Sequence, residues 1–170
     1  MAKPLKNWQP KTEIIRFLLK EALEIYKEYR EIFSKEQPLP KLEELLKHNF
    51  DILDGCLGSI RQQLKDGEYL YDPGLETAAA YFYFINKSHW LPNGNKRSAM
   101  IISLYYLKKH NKWPQINWND LYLLAMEVAN YQGDPKIMLK KIKNIFQKEL
   151  IDYEEGDLEI LLSSWEVSTY

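Results

Sequence analysis

The residues best suited to chemistry lie in one short stretch, residues 89–97, which reads His-Trp-Leu-Pro-Asn-Gly-Asn-Lys-Arg. It combines an imidazole, a glycine between two amides, and two adjacent cations. Because glycine has no Cβ, Gly94 permits a turn in which successive backbone N–H groups point into one concavity that binds anions. The apolar run after Arg97 predicts a helix. The concavity is therefore expected at a helix N-terminus, where phosphate is favoured.

Charged side chains add to this expectation. Lys96 supplies a full positive charge, and the planar guanidinium of Arg97 can bind two phosphate oxygens at once. His89 precedes the turn, where its imidazole could accept the proton of a hydroxyl that attacks phosphorus. This arrangement indicates transfer of a phosphorus-containing group. The spacing alone is equally compatible with a histidine that ends a helix and a turn that is simply solvated.

The stretch resembles the signature of the Fic/Doc family, H-x-F-x-[D/E/N]-[G/A]-N-[G/K]-R, and the similarity extends over roughly residues 51–147. The lysine at position 96 resembles the pattern of the Doc branch, whereas Fic adenylyltransferases often have glycine at this position. The resemblance implies that His89 is the catalytic base and that Gly94 and Asn95 belong to the anion hole. It implies that Lys96 and Arg97 bind the phosphates of a nucleotide.

The activity implied by this resemblance is a protein-modifying transferase. A phosphoryl group (Doc-like) or a nucleotidyl group (Fic-like) would move from ATP or another nucleoside triphosphate, with Mg²⁺, to a Ser, Thr or Tyr hydroxyl of a target protein. Doc-like proteins are toxins encoded beside an antitoxin. The resemblance therefore also implies a target in the translation machinery and an antitoxin partner.

Two positions depart from the family pattern. Leu91 stands where a phenylalanine usually anchors the loop, and another large apolar side chain can do this. Asn93 stands where relatives commonly place a carboxylate that holds Mg²⁺, and a neutral amide oxygen is a poorer ligand for this hard cation. We expect Mg²⁺ to bind only with the nucleotide, with Asn93 as a weak ligand. The departure supports an alternative function: a nucleotide- or phosphate-binding pseudoenzyme that acts as an interaction module.

The composition limits the class of protein. A net charge of −1 and a pI near 6.3 give no general attraction to nucleic acid or to an anionic membrane. Cys56 is the only cysteine, so no disulfide forms within the chain, and no segment approaches membrane-spanning length without charges. We expect a cytoplasmic protein that binds neither nucleic acid nor membrane.

Helical periodicity dominates the chain, which predicts an all-α bundle with one short strand-like stretch. The resemblance implies that the bundle is Fic/Doc-like and that this stretch forms a short β flap. The flap is placed at Tyr69, Leu70 and Tyr71, where the resemblance implies that a hairpin aligns the target protein. The expected organisation is an N-terminal helix and connector over residues 1–40, a Fic/Doc-like core over residues 41–150, and an acidic tail over residues 151–170. The tail could form an extra docked helix.

Individual elements can also be predicted. Segments 42–46 and 52–64 are helix-like, with an interruption at His48-Asn49. Asp72 and Pro73 suit the start of the helix that leads to His89. The helix over residues 99–107 is apolar at nearly every position and should be central, with His110 facing solvent after it. A further helix opens at Asn119-Asp120, and a last one after Asp134-Pro135, which buries Ile137, Leu139, Ile142 and Ile145. Glu155-Gly156 matches the end of an inhibitory segment of some relatives, but Ile151 replaces its hydroxyl residue.

Overall fold

The computed structural model describes residues 42–90, 94–148 and 150–152, with the backbone alone for residues 42–50 and for Trp118. The predicted N-terminal helix, residues 91–93 of the motif and the acidic tail beyond residue 152 lie outside the described residues. The elements are, in chain order, α1 (Leu42–Ile60), α2 (Leu75–Lys87), α3 (Asn95–Lys109), β1 (Lys112–Pro114), α4 (Trp118–Asn130), α5 (Pro135–Lys148) and β2 (Leu150–Asp152). The prediction of a mostly helical protein is confirmed.

Helices α2 and α3 form the centre of the described part. Helix α2 packs against α1, α3, α4 and α5, and α3 packs against α2, α4 and β1. Aromatic contacts join α2 to its neighbours. The ring centroids of Phe82 and Phe146, on α5, are 5.6 Å apart, and those of Tyr81 and Tyr106, on α3, are 5.3 Å apart. The central position predicted for the helix over residues 99–107 is confirmed, because most of its apolar side chains are buried.

The boundaries predicted for the first two described helices are wrong. Helix α1 runs without interruption through His48-Asn49 and ends at Ile60, four residues before the expected end. Helix α2 begins at Leu75 rather than at Pro73. The preceding turn is occupied by other hydrogen bonds: the Asp72 carbonyl accepts from the Thr77 hydroxyl, and the N–H of Gly74 donates to the Tyr106 hydroxyl over 3.0 Å.

The β structure differs from the prediction. Residues 68–71 form no strand; Tyr69 makes a single isolated bridge with Gln63, within a hairpin-shaped turn. The sheet pairs β1 with β2 in antiparallel register, with Trp113 opposite Ile151, and neither strand was predicted. Lys112 and Asp152 form an ion pair at its end. The predicted boundary between residues 150 and 151 therefore falls inside β2.

Other expectations also need correction. Of the four residues predicted to be buried on α5, Ile142 is fully buried and Leu139 and Ile145 are partly buried, whereas Ile137 is 64% exposed. The buried side of α5 also includes Met138 and Phe146. His110 is half-buried, with its ring centroid 4.6 Å from that of Tyr106, rather than facing solvent. Helix α4 begins two residues earlier than expected, where the Asn117 side chain accepts from the N–H of Asp120 over 2.8 Å.

None of the described helices is long and apolar enough to cross a membrane.

Candidate functional site

His89 lies at the end of α2, just outside the helix. Ser88 closes the helix: its N–H and its hydroxyl both donate to the Ile85 carbonyl, the hydroxyl over 2.8 Å. His89 then adopts a left-handed backbone conformation, with φ of 50°, and its side chain is exposed. Histidine tolerates this conformation better than most residues. The imidazole is therefore accessible at the helix end.

The end of α2 is fastened to α4 by two consecutive side chains. The buried amide of Asn86 donates to the Ala125 carbonyl over 2.8 Å. The ammonium of Lys87 donates to the carbonyls of Ala129 and Tyr131, over 3.1 and 2.5 Å. A cation at the C-terminus of a helix satisfies carbonyls that have no partner within the helix and complements the helix dipole. These contacts fix the backbone from which His89 extends.

Trp90 connects the two ends of the motif. Its side chain is fully buried, and its indole N–H donates to the Oγ of Ser98 over 3.2 Å. The Ser98 hydroxyl in turn donates to the Asn95 carbonyl over 3.0 Å. Because His89 is adjacent to Trp90 in the chain, this contact holds His89 beside the first turn of α3.

The first turn of α3 has the geometry of an anion site. Gly94 is the N-cap residue, in a left-handed conformation with φ of 105°, and its carbonyl accepts the first helical bond, from the N–H of Ser98 over 2.9 Å. Backbone amides before Ser98 therefore point toward the helix end, which carries partial positive charge. The sequence places no Asp or Glu at residues 91–98, and it adds Lys96, half-buried, and Arg97, exposed. The turn and the helix start lie where the sequence predicted them.

The residues present do not fit a Mg²⁺ site held by the protein alone. Within the described ranges, no group of three His, Cys, Asp or Glu side chains is arranged to hold a metal ion. Asn93, the predicted weak ligand, lies outside those ranges and offers only a neutral oxygen. A hard cation is normally held by one or two carboxylates together with substrate phosphates. Anionic ligands for such an ion at the start of α3 would have to come from outside the described residues.

The predicted flap residues lie in a hairpin-shaped turn before α2. The N–H of Leu64 donates to the Glu68 carbonyl over 2.7 Å, and that of Leu70 donates to the Gln62 carbonyl over 2.9 Å. The turn follows the side of α2, since the ring of Tyr71 lies 6.0 Å from that of Phe84. Phe84 precedes His89 by five residues, about 7.5 Å along a helix axis. Leu70 is 44% exposed and Tyr69 is half-buried.

The contacts that position the site were only partly visible in the sequence. Trp90 is a position of the motif and Ser98 belongs to the helical run after it, but nothing in the sequence predicts the hydrogen bond between them. Asn86 and Lys87 carried a weak signal, because two polar residues interrupt the apolar face of α2 just before the motif. Their partners lie on α4, about 40 residues later, and nothing in the local pattern identifies them.

Comparison with known proteins adds no relative: no family model, no curated protein and no solved structure matches this chain.

Proposed function

We propose that this protein is a Fic/Doc-like transferase that modifies another protein, moving a phosphoryl or nucleotidyl group from a nucleoside triphosphate to a Ser, Thr or Tyr hydroxyl. The proposal includes a Fic/Doc-like arrangement of the helices and action in the cytoplasm. It rests on the motif at residues 89–97 and on the positions of its described residues.

The observation that carries the proposal is the hydrogen bond from Trp90 to Ser98. It ties the residue after the imidazole to the first turn of a helix that begins with a left-handed glycine and two cations. In the proposed mechanism this contact would hold His89, as the base, near a helix end that binds phosphate, as phosphoryl transfer requires. Such transfer depends chiefly on positioning and on charge stabilisation.

Each residue then has a role. His89 accepts the proton of the target hydroxyl as its oxygen attacks phosphorus. Gly94 and the following amides stabilise the negative charge that develops on the phosphate oxygens. Arg97, with Asn95, holds the triphosphate.

The position of Lys96 favours phosphoryl transfer. By its resemblance to the Doc branch, Lys96 biases which phosphate faces the hydroxyl. In that case a bond forms between the hydroxyl oxygen and the γ phosphorus. The bond from the γ phosphorus to its bridging oxygen breaks, the nucleoside diphosphate leaves, and His89 retains the proton. Transfer of the α phosphorus would release pyrophosphate instead.

Labelled ATP separates the two reactions. The purified protein is incubated with cell extract and with ATP labelled either at the α or at the γ phosphate. Label transferred to protein from the γ position alone indicates kinase chemistry, and label from the α position indicates nucleotidyl transfer. No label from either position contradicts both.

The matched variant for this experiment is His89→Asn. Asparagine accepts the left-handed backbone of residue 89 but cannot act as a base at neutral pH, so folding is kept while the proton acceptor is lost. We expect labelling to disappear. Lys109→Ala, which removes an exposed cation from the C-terminal end of α3, should leave labelling intact. Undiminished labelling by His89→Asn would remove His89 from the mechanism.

A second candidate function is favoured by the absence of a carboxylate from residues 91–98. The protein would bind a nucleotide through the α3 N-terminus without turning it over, as a pseudoenzyme that serves as an interaction module. The variant Asn93→Asp, which introduces the carboxylate common in the family, distinguishes the two functions. Labelling that appears only in this variant supports the pseudoenzyme. Equal labelling by both proteins supports the transferase.

The proposal extends to a toxin controlled by an antitoxin. Expression of the intact protein should then arrest growth, and expression of His89→Asn should not. Harmless high-level expression of the intact protein, together with active labelling, would separate the transferase from the toxin.

A further inference from the structure

A groove of about 520 Å³ lies between the 62–71 hairpin, α2 and α5. Its apolar lining comes from Leu70, Tyr71, Ala79 and Leu139. None of the described motif residues, 89–90 and 94–97, contributes to it. Ala79 is the α2 residue of the groove nearest to His89 in the chain, ten positions before it, and ten positions correspond to about 15 Å along a helix axis. The groove therefore lies apart from the described motif residues, although Leu70 and Tyr71 also belong to the predicted flap.

The rim of the groove is positively charged. Lys136, Lys140 and Lys143 line it from α5, and Lys143 is paired with Glu76 across the groove over 2.5 Å. Within the described ranges, Lys136 and Lys140 form no salt bridge. Four residues apart on one helix, they lie on the same face, where like charges repel each other. An apolar groove beside two such lysines suits a segment that carries both carboxylates and apolar side chains.

We propose that this groove is the docking site of the chain's own C-terminal segment, residues 153–170. This segment contains five carboxylates and no Lys or Arg, at Glu154, Glu155, Asp157, Glu159 and Glu166. It also contains large apolar residues, at Leu158, Leu161, Leu162 and Trp165. Its charge and its apolar content are complementary to the rim and the lining of the groove.

The net charge and the length of residues 153–170 favour this segment over residues 1–41 as the occupant of the groove. Residues 1–41 hold nine Lys or Arg and six Glu, a net charge of +3, which the lysines would repel. Residues 153–170 follow β2 directly, and β2 pairs with β1, which contacts α5. The part of α5 in the groove, from Lys136 to Gln147, is about 16 Å long. Eighteen residues can span that length, since even as a helix they would measure about 27 Å.

The location distinguishes this interaction from an inhibitory one at the motif. A carboxylate of the segment would lie against Lys136 and Lys140, and not against Arg97. The proposal does not depend on the transferase activity.

Zero-length cross-linking of the full chain tests the proposal. A carbodiimide joins a carboxylate to an amine that lies in contact with it. The pair Lys143–Glu76 should cross-link and serves as the internal positive control. We expect cross-links from Lys136 or Lys140 to the acidic residues of 153–170. Their absence while Lys143–Glu76 forms, or cross-links from the segment to Lys96 instead, would overturn the proposal.

Isotope mixing shows whether the contact lies within one chain. Equal amounts of ¹⁴N- and ¹⁵N-labelled protein are cross-linked together. Cross-linked peptide pairs of a single isotope mean that the segment binds its own chain, as proposed. Pairs that carry both isotopes mean that it binds a second copy, which contradicts the proposal.

A matched pair of charge reversals completes the test. Lys140→Glu should abolish the cross-links between Lys136 and the segment, and should remove the hydrogen-exchange protection of residues 153–170. Lys109→Glu changes the net charge equally at an exposed position at the end of α3, outside the groove, and should change neither quantity. An equal response of the two variants would contradict the proposal, because it would reflect overall charge and not the groove.

Discussion

Asn86 of α2 donates a hydrogen bond from its side-chain amide to the Ala125 carbonyl of α4 over 2.8 Å. The amide is buried and only 3% of the residue is exposed, so water cannot replace this partner. The bond lies three residues before His89, and Lys87 adds two further contacts with the end of α4. The position of the imidazole is thus set by helix packing on its N-terminal side and by Trp90 on its C-terminal side.

Replacing Asn86 should destabilise the whole protein. Asn86→Ala removes a buried hydrogen bond and leaves a small cavity, so we expect the free energy of unfolding to fall by about 1–3 kcal/mol. Urea denaturation monitored by circular dichroism measures this. Asn130→Ala is the matched control, because Asn130 makes the same kind of bond, to the Met126 carbonyl, at an exposed position. Its effect should stay within about 0.5 kcal/mol. Equal losses in the two variants would show that the Asn86 bond does not connect α2 and α4 as described.

The contact between Trp90 and Ser98 should appear as an energetic coupling. In a double-mutant cycle of Trp90→Phe and Ser98→Ala, we expect a coupling free energy of about 0.5–1.5 kcal/mol, since either variant alone already breaks the hydrogen bond. Unfolding free energies of the four proteins give this value.

Ser103 provides the control for this cycle. Its hydroxyl is buried in the same helix and donates to the Ala99 carbonyl over 2.7 Å. Trp90→Phe and Ser103→Ala should therefore be additive. If the Ser98 cycle is additive as well, the hydrogen bond from the Trp90 indole to Ser98 does not connect the two parts of the motif.

The elements that follow long apolar periodicities were predictable from the sequence. Helix α3 was expected to be central because nearly every residue after Arg97 is apolar, and it packs on both α2 and α4. The turn at Gly94 was expected for a local reason, since only glycine adopts its backbone conformation without strain. In both cases the information lies within a few residues of the element itself.

The features that were missed depend on distant partners. Strands β1 and β2 have three residues each, too few for an alternating pattern, and they exist because Trp113 and Ile151 meet across 38 positions. Ile137 looked like a core residue by spacing, yet it is exposed, because the packing of Phe146 against Phe82 sets the rotation of α5. The contact of His110 with Tyr106, four positions earlier at the end of the same helix, is by contrast a local one.

His110 should make stability depend on pH. Burial lowers the pKa of its imidazole from the usual value of 6.5, so the folded protein takes up a proton less readily than the unfolded chain. The stabilisation is complete above pH 6.5 and is lost as the pH falls below it, toward the lowered pKa. His110→Phe, which keeps an aromatic ring beside Tyr106, should reduce the loss of unfolding free energy between about pH 7.5 and about pH 5.5.

Glu76→Gln is the control for the pH experiment. The hydrogen bond from Lys143 lowers the pKa of the Glu76 carboxyl below its usual value of 4.5, so its stabilisation is present above that pH and is lost only in more acidic solution. This variant should show the same loss as the parent protein between the two pH values. If His110→Phe also shows the full loss, His110 is not the group that titrates in this range.

The last prediction concerns Mg²⁺ and rests on the proposed function. The residue before Gly94 is an amide, and the first turn of α3 carries no carboxylate. Mg²⁺ prefers charged oxygen ligands, so the free protein should not bind it measurably, and the ion should enter with ATP, whose phosphates supply the anionic oxygens. Calorimetric titration of the protein with Mg²⁺ alone, and with ATP in the presence and absence of Mg²⁺, measures each step.

Asn93→Asp should strengthen the binding of Mg·ATP by on the order of 1–2 kcal/mol, the advantage of a charge-assisted contact over a neutral one. It should weaken the binding of ATP without Mg²⁺, because the new carboxylate then faces phosphate with no cation between them. Asn111→Asp places the same charge in an exposed residue beyond the other end of α3, and should change neither affinity. If Asn93→Asp binds Mg·ATP no better than the parent protein does, residue 93 is not beside the metal. The nucleotide phosphates would then not lie at the start of α3.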